Sequence, residues 1–408
     1  MPLSSPLPFI SDDERNARLA SLRAALDDTG LAGLLLGSSK SLQYFTGLDW
    51  HASERLLGAL VTPHGLHYIV PGFEESRVMT LPHLAGDIAT WQEEESPAAL
   101  VRRILGQNGT LALDDALPLS LYHPLAAAFG PERLVDGGPL IRDIRMCKSP
   151  AEIALIQHAM DITLEVQKRA HAQMAPGVRA SDIVAFIDAE HRKLAGARST
   201  FCIVSFGTAT ALPHGADGDQ ILAEGDAILV DTGTRIDGYH SDLTRTYMLG
   251  EASPDFAAAW AIERAAQQAV FDAAQLSAPC HSLDDAARDL LVRHGLGPDY
   301  ALPGLPHRAG HGLGLEIHEH PYIVRGNTLP LQPGMVFSNE PMVVYPNRFG
   351  VRLEDHIVMT DTGPRWLPSP PQARPSRSPD ARPGRHAASA AAIRPDPPTT
   401  GAKASQTP

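Results

Sequence analysis

Residues 226–247 read DAILVDTGTRIDGYHSDLTRTY, two apolar, β-prone runs around a turn at Ile236-Asp237-Gly238. The pattern predicts a hairpin. Each arm, however, carries an acid, Asp231 or Asp242, where a core side chain might sit. With the turn centred near Ile236-Asp237, the two acids fall opposite or nearly opposite each other. Their Cβ atoms would then be about 5 Å apart if directly paired and about 7 Å apart if diagonal.

The same arithmetic applies further along the chain. GMVFSNEPMVVY (334–345) and GVRLEDHIVMT (350–360) form a second hairpin-like pair, with Glu340 and Glu354 symmetric about Asn347. Each hairpin thus presents two facing carboxylates from the middle of a sheet. Four anions so placed repel strongly unless protonated or neutralised. A pair of divalent metal ions is the recurrent solution, since carboxylates can bridge and flank them. A transition ion gains from an imidazole as well. The best source is HRAGHGLGLEIHEHP (307–321), where glycines around His311 allow close backbone approach.

The elements around the hairpins occur twice in the same order. Ser149-Pro150-Ala151-Glu152 is a capping box with proline at the first helical position. It opens a long helix (150–174), followed by a second (181–195) and the Asp hairpin. Helices over 254–276 and 282–294 precede the Glu hairpin. The fold expected over residues 148–363 is therefore a duplicated α+β catalytic domain of helix, helix and hairpin. Before it, residues 1–145 read as an α/β domain: Leu19, Leu22, Ala25 and Leu26 recur at helical spacing, LAGLLLG (31–37) reads as a buried strand, and residues 56–71 as two strands joined at Pro-His-Gly. From Pro364 to residue 408 the chain is rich in Pro, Ala, Ser and Arg, and disorder is expected.

Composition narrows the function. A formal net charge of −13 over 408 residues argues against a general nucleic-acid or membrane-surface binder. Cys147, Cys202 and Cys280 lack CxxC spacing, which fits a reduced compartment. With no signal-peptide pattern and no apolar run of membrane-spanning length, a cytoplasmic protein is expected.

VDTGTRIDGYHSDLTRTY, HRAGHGLGLEIHEHP, SNEPMVV and GVRLEDHIV together resemble the pita-bread metallopeptidases, most closely the branch of prolidase (Xaa-Pro dipeptidase) and aminopeptidase P. The resemblance spans roughly residues 148–362 and extends more loosely, through YFTGLDWHASER, to a creatinase-like N-terminal domain. It implies Asp231, Asp242, His311, Glu340 and Glu354 as ligands of two divalent ions, manganese foremost, with zinc or cobalt as alternatives. It also implies Glu340 as proton shuttle, His214 and His318 as groups near the scissile bond, and His307 and Arg352 as substrate-binding residues. The implied substrate is an Xaa-Pro dipeptide or short peptide. A homodimer is implied, with Trp50 and His51 as candidates for the rim of a neighbour's site. A non-catalytic binding protein of this fold, or a hydrolase of another small amide, are the competing expectations.

Overall fold

The computed structural model describes residues 9–106, 109–368 and 376–377. The strand Gly33–Leu36 lies inside a six-stranded sheet, antiparallel to Gly58–Thr62 and parallel to Leu111–Leu113. Its side chains alternate between two cores: Leu34 and Leu36 join one apolar cluster and Leu35 the other. That two-sided burial explains why LAGLLLG is continuously apolar. Leu19, Leu22 and Leu26 are buried along the helix Asp12–Thr29, as their spacing predicts.

The second part contains the duplication. Helices Pro150–Gln173 and Ala180–Ala195 precede the strands Phe201–Phe206, Ala227–Gly233 and Leu243–Leu249. Helices Pro254–Ala273 and His281–Arg293 precede a five-stranded sheet that includes Gly310–Gly312, Val336–Asn339 and Asp355–Thr360. Backbone details repeat with it. Gly177 and Ser277 both take positive φ after the long helices, as do Gly225 and Gly334 before the hairpins. The bridge Arg179↔Ile221 has its counterpart in Pro279↔Pro330.

Register refines the two hairpins. Ile236 pairs with Tyr239, so the turn is the two residues Asp237 (φ 48°) and Gly238 (φ 85°), one position later than its expected centre. Positive φ at both is the geometry of a type I′ turn, for which Asp-Gly is suited. Asp231 pairs with Thr244, which makes Asp242 its diagonal neighbour. In the second hairpin Asn339 pairs with Asp355 and Met342 with Arg352, keeping Glu340 opposite Glu354 about Asn347. Neither glutamate is in mid-sheet as expected. Both occupy breaks where the hairpin arms leave the large sheet and continue as the ribbon Met342–Tyr345 with Phe349–Arg352.

The expected disordered tail begins too early. Pro364–Leu367 belong to the strand Gly363–Leu367, paired with Asp355–Thr360, because Leu367 is buried and Trp366 stacks on Phe271 at 4.4 Å. Ser376–Arg377 run parallel to Met248–Leu249. The remaining tail lies outside the described residues.

The two parts share a buried polar seam. Arg18 meets Glu14 at 2.6 Å and Glu152 at 3.3 Å and lies 3.9 Å from the Tyr44 ring centroid. The Tyr239 hydroxyl, next to the Asp-Gly turn, donates to Glu152 at 3.0 Å. Trp50 is partly buried against an apolar cluster that draws on both parts of the chain, and it stacks on the exposed His51.

Candidate metal centre

Asp231 projects from the strand Ala227–Gly233, Asp242 from the residue before Leu243–Leu249, and His311 from the short strand Gly310–Gly312. Glu340 and Glu354 join them from the breaks in the second hairpin. Oxygen and nitrogen atoms of Asp231, Asp242 and Glu354 lie within 4.8 Å of one another, as do those of His311, Glu340 and Glu354. His318 forms a third such group with Asp242 and His311. All five ligands expected from sequence are brought together, and His318 stands closer to them than expected.

The donor set fits a cation. Nδ1 of His311 is 3.0 Å from the Gly312 carbonyl, an acceptor only, so this nitrogen carries the proton. Nε2 then faces Glu340 Oε1, 3.1 Å away, and Asp242 Oδ2, 3.8 Å away. A ring nitrogen and carboxylate oxygens at these distances need a proton or a cation between them. A backbone carbonyl fixing the distal nitrogen is also the usual partner of a metal-ligating histidine. Asp231 Oδ1, Asp242 Oδ1 and Glu354 Oε1 are buried without a hydrogen-bond partner, which is costly for carboxylates in the absence of an ion.

Electrostatics record the same conflict. Burial pushes the carboxyls of Asp242 and Glu354 well above the usual range, and the neighbouring acids add to it. Asp231 is also raised by burial, with Arg352 only partly offsetting. At Glu340 burial acts in the same direction but is outweighed by His311, His307 and Arg352, which hold it below the ordinary range.

Arg352 proves to be a scaffold for the ligands. Its Nη2 donates to Asp231 at 2.5 Å, its Nε to Thr244 Oγ1 at 3.0 Å, and its Nη1 to the Pro213 carbonyl at 3.3 Å. Thr244 Oγ1 donates in turn to Glu354 at 2.7 Å. Each nitrogen of the buried guanidinium thus has a protein acceptor, and Arg352 stands beside the ligands. The Pro213 contact also anchors the loop that carries the exposed His214. His307 is held through Nδ1 to the Arg308 carbonyl at 2.7 Å, with Nε2 buried and unpartnered.

Sequence reasoning passed over several supporting residues. Ser338 Oγ donates to Glu340 at 3.1 Å and accepts from the His311 amide at 2.9 Å. Arg245 donates to the Glu354 carbonyl and to Asp355, each at 2.6 Å. Polar residues at strand positions buried on both faces were the available signal. Two cavities flank the centre: one of about 270 Å³ between the domains, lined by Arg142, Arg145 and His318, and one of about 670 Å³ lined by Ile203 and His214. Ile203 is the cross-strand partner of Asp231, so it faces the same side of the sheet.

Comparison with known proteins agrees with this geometry. Residues 154–361 match the model of metallopeptidase family M24, and residues 18–147 match the creatinase/prolidase N-terminal domain. The chain belongs to metallopeptidase family M24. A probable dipeptidase, PepE, of Mycobacterium tuberculosis is 36% identical over 85% of this chain and 92% of its own. The Xaa-Pro dipeptidase of Pyrococcus furiosus is 27% identical over 86% and 97%. The crystal structure of dipeptidase PepE from Mycobacterium ulcerans superposes with a TM-score of 0.82 at 34% identity, covering 86% of this chain and 95% of that one. The pita-bread fold and metallopeptidase class of this M24 protein stand on these matches and on the acid-and-imidazole cluster together. Among the described residues no helix is long and apolar enough to cross a membrane.

Proposed function

We propose that this M24 metallopeptidase is a dinuclear enzyme that hydrolyses the Xaa-Pro bond at the N-terminus of dipeptides or short peptides. The observation that carries the reading is His311 Nε2 aimed between Glu340 and Asp242, beside three buried carboxylate oxygens without partners. Asp231, Asp242, His311, Glu340 and Glu354 would hold the ions. An oxygen-rich set with one imidazole suits Mn(II), with Zn(II) or Co(II) as alternatives. Bound divalent ions supply acidity to water near neutral pH and polarisation to the scissile carbonyl.

The chain's own residues do the rest. Glu340, oriented by Ser338, takes the proton from the attacking water and returns it to the leaving nitrogen. His318, its ring 4.1 Å from that of His311, and His214, on the Arg352-anchored loop, donate hydrogen bonds where charge develops. His307, half-buried with Nε2 unpartnered, contacts the substrate. Proline has no N–H and restricts the residue before it, so its recognition needs shape rather than backbone hydrogen bonding. The similarity to an Xaa-Pro dipeptidase supports that preference. The protein acts as a cytoplasmic homodimer, with Trp50 and His51 at the rim of a neighbour's site.

Hydrolysis of Ala-Pro, abolished by chelation and restored by Mn(II), Co(II) or Zn(II), is the expected result. Comparable kcat/KM on dipeptides without proline would instead assign a broader dipeptidase. A metal-replete preparation inert toward all of these would overturn the proposal. Light scattering is expected to give twice the chain mass, and a monomer mass at working concentration removes the dimer.

A further inference from the structure

Each long helix of the duplicated domain buries one glutamine against its own hairpin, and the two make matching bonds. Gln167 Nε2 donates to the carbonyls of Val230 at 3.0 Å and Leu243 at 2.9 Å. Gln267 Nε2 lies 3.3 Å from the carbonyl of Asn339 and 3.1 Å from that of Leu353, with Asp355 Oδ2 at 3.2 Å. The two occupy equivalent places, each ten residues before the positive-φ residue that follows its helix, Gly177 or Ser277. Val230 pairs with Arg245 in the first hairpin, while Asn339 pairs with Asp355 in the second, so in both cases the bonded carbonyls lie on opposite arms.

The positions of those carbonyls decide what the bonds do. Val230, Asn339 and Leu353 each immediately precede a ligand, Asp231, Glu340 or Glu354, and Leu243 immediately follows Asp242. One amide group therefore ties the two ligand-bearing arms of each hairpin to a single point on a helix. In the second hairpin the tie falls where the arms leave the large sheet. A buried amide is costly unless its N–H groups are satisfied, and here both arms satisfy them. Burial alone would be served better by an apolar side chain.

We propose that Gln167 and Gln267 are paired positioning residues that fix the separation of the carboxylates within each hairpin and so set the affinity of the metal centre. Neither touches the ions or the substrate. The inference rests on the metal centre proposed above and deepens it by assigning one helix-borne tie to each half of the ligand set.

The test is Mn(II) binding to the purified full-length chain, by chelator competition and by metal content after dialysis. Gln167→Leu and Gln267→Leu keep similar volume and remove the donors. Partners behind the ligands typically contribute 10–100-fold in metal affinity, so each variant is expected to weaken Mn(II) binding at least tenfold while keeping its secondary structure. Val166→Ala, beside Gln167 in the same helix and also fully buried, is the control. It should lower the Tm of the metal-free protein without weakening Mn(II) binding. If Gln167→Leu or Gln267→Leu fails to fold, the unbranched Gln167→Met or Gln267→Met is measured instead. Wild-type affinity in the glutamine variants, or an equal loss in Val166→Ala, overturns the positioning role. A wild-type chain that binds no divalent ion overturns the metal centre itself, so the two failures are distinguishable.

Discussion

Glu340 is the side chain on which the contacts of the centre converge. Ser338 Oγ and His311 Nε2 both lie 3.1 Å from its Oε1. Glu340→Gln keeps shape and one coordinating oxygen but removes the base. Metal content is expected to remain measurable while kcat falls about 10²–10⁴-fold, the usual cost of losing a positioned acid/base group. Wild-type turnover in that variant would end the shuttle assignment. His318 is a sharper case, because it is exposed yet groups with Asp242 and His311. His318→Ala is expected to lower kcat and keep the metals. Metal loss on elemental analysis would move this histidine into the ligand set.

Helix boundaries in this chain are written in local chemistry, and the helix Pro150–Gln173 is the clearest case. Ser149 Oγ accepts from the Glu152 amide at 3.2 Å, and the Glu152 carboxylate accepts from the Ser149 amide at 2.9 Å. Ser149 Oγ also donates to Glu14 of the N-terminal domain at 2.7 Å. Ser149→Ala removes the cap and this contact. A loss of about 1–2 kcal/mol in urea unfolding is expected, with activity at saturating substrate unchanged. A loss below about 0.3 kcal/mol would show that the cap contributes little here.

The two domains are joined through charges that also reach the loop of His318. Arg145 Nη2 donates to Glu316 and Glu319, each at 2.8 Å, and Lys148 Nζ donates to Glu319 at 2.7 Å. Glu319 adjoins His318, so the segment between the domains holds the loop that bears it. Arg145→Met leaves the buried Glu319 with Lys148 and the Glu316 amide, and removing one partner of a buried pair typically costs 3–5 kcal/mol. A lower Tm together with a drop in kcat, KM being less affected, is the expected signature. Unchanged kcat would confine Arg145 to stability.

Solution pH is expected to act on the fold through its buried histidines, among them His240, His356 and His191, the last fully buried between Thr163 Oγ1 at 3.3 Å and Ser199 Oγ at 2.8 Å. Burial pushes His191 down to about 4, with Asp188 offsetting only part. The unfolded chain, with an ordinary histidine near 6.5, then binds more protons than the fold between those values. Stability from this group is full above pH ~6.5 and falls as pH drops toward ~4, by up to about 3 kcal/mol. Urea unfolding of His191→Gln should show a shallower loss over that window. A slope identical to wild type would show that His191 is not the group responsible.

Much of the architecture is legible in the sequence. The helices, the paired hairpins and their acids follow from periodicity, capping and turn chemistry, all interactions between near neighbours in the chain. Asp237-Gly238 sets the first register, and the symmetry of Glu340 and Glu354 about Asn347 survives in the second. Other features depend on approach between distant segments. That Arg352 turns onto Asp231 and that Glu340 and Glu354 sit at breaks in the sheet are settled by how the two halves pack across the centre. The glutamine ties are of the same kind. Gln167 is separated from its acceptors by 63 and 76 residues and Gln267 from its own by 72 and 86, and at such distances sequence pattern carries no geometry. The strand Gly363–Leu367 escaped for a related reason: proline-rich composition resembles a solvated tail until Trp366 finds Phe271, and that contact exists only once the chain has folded.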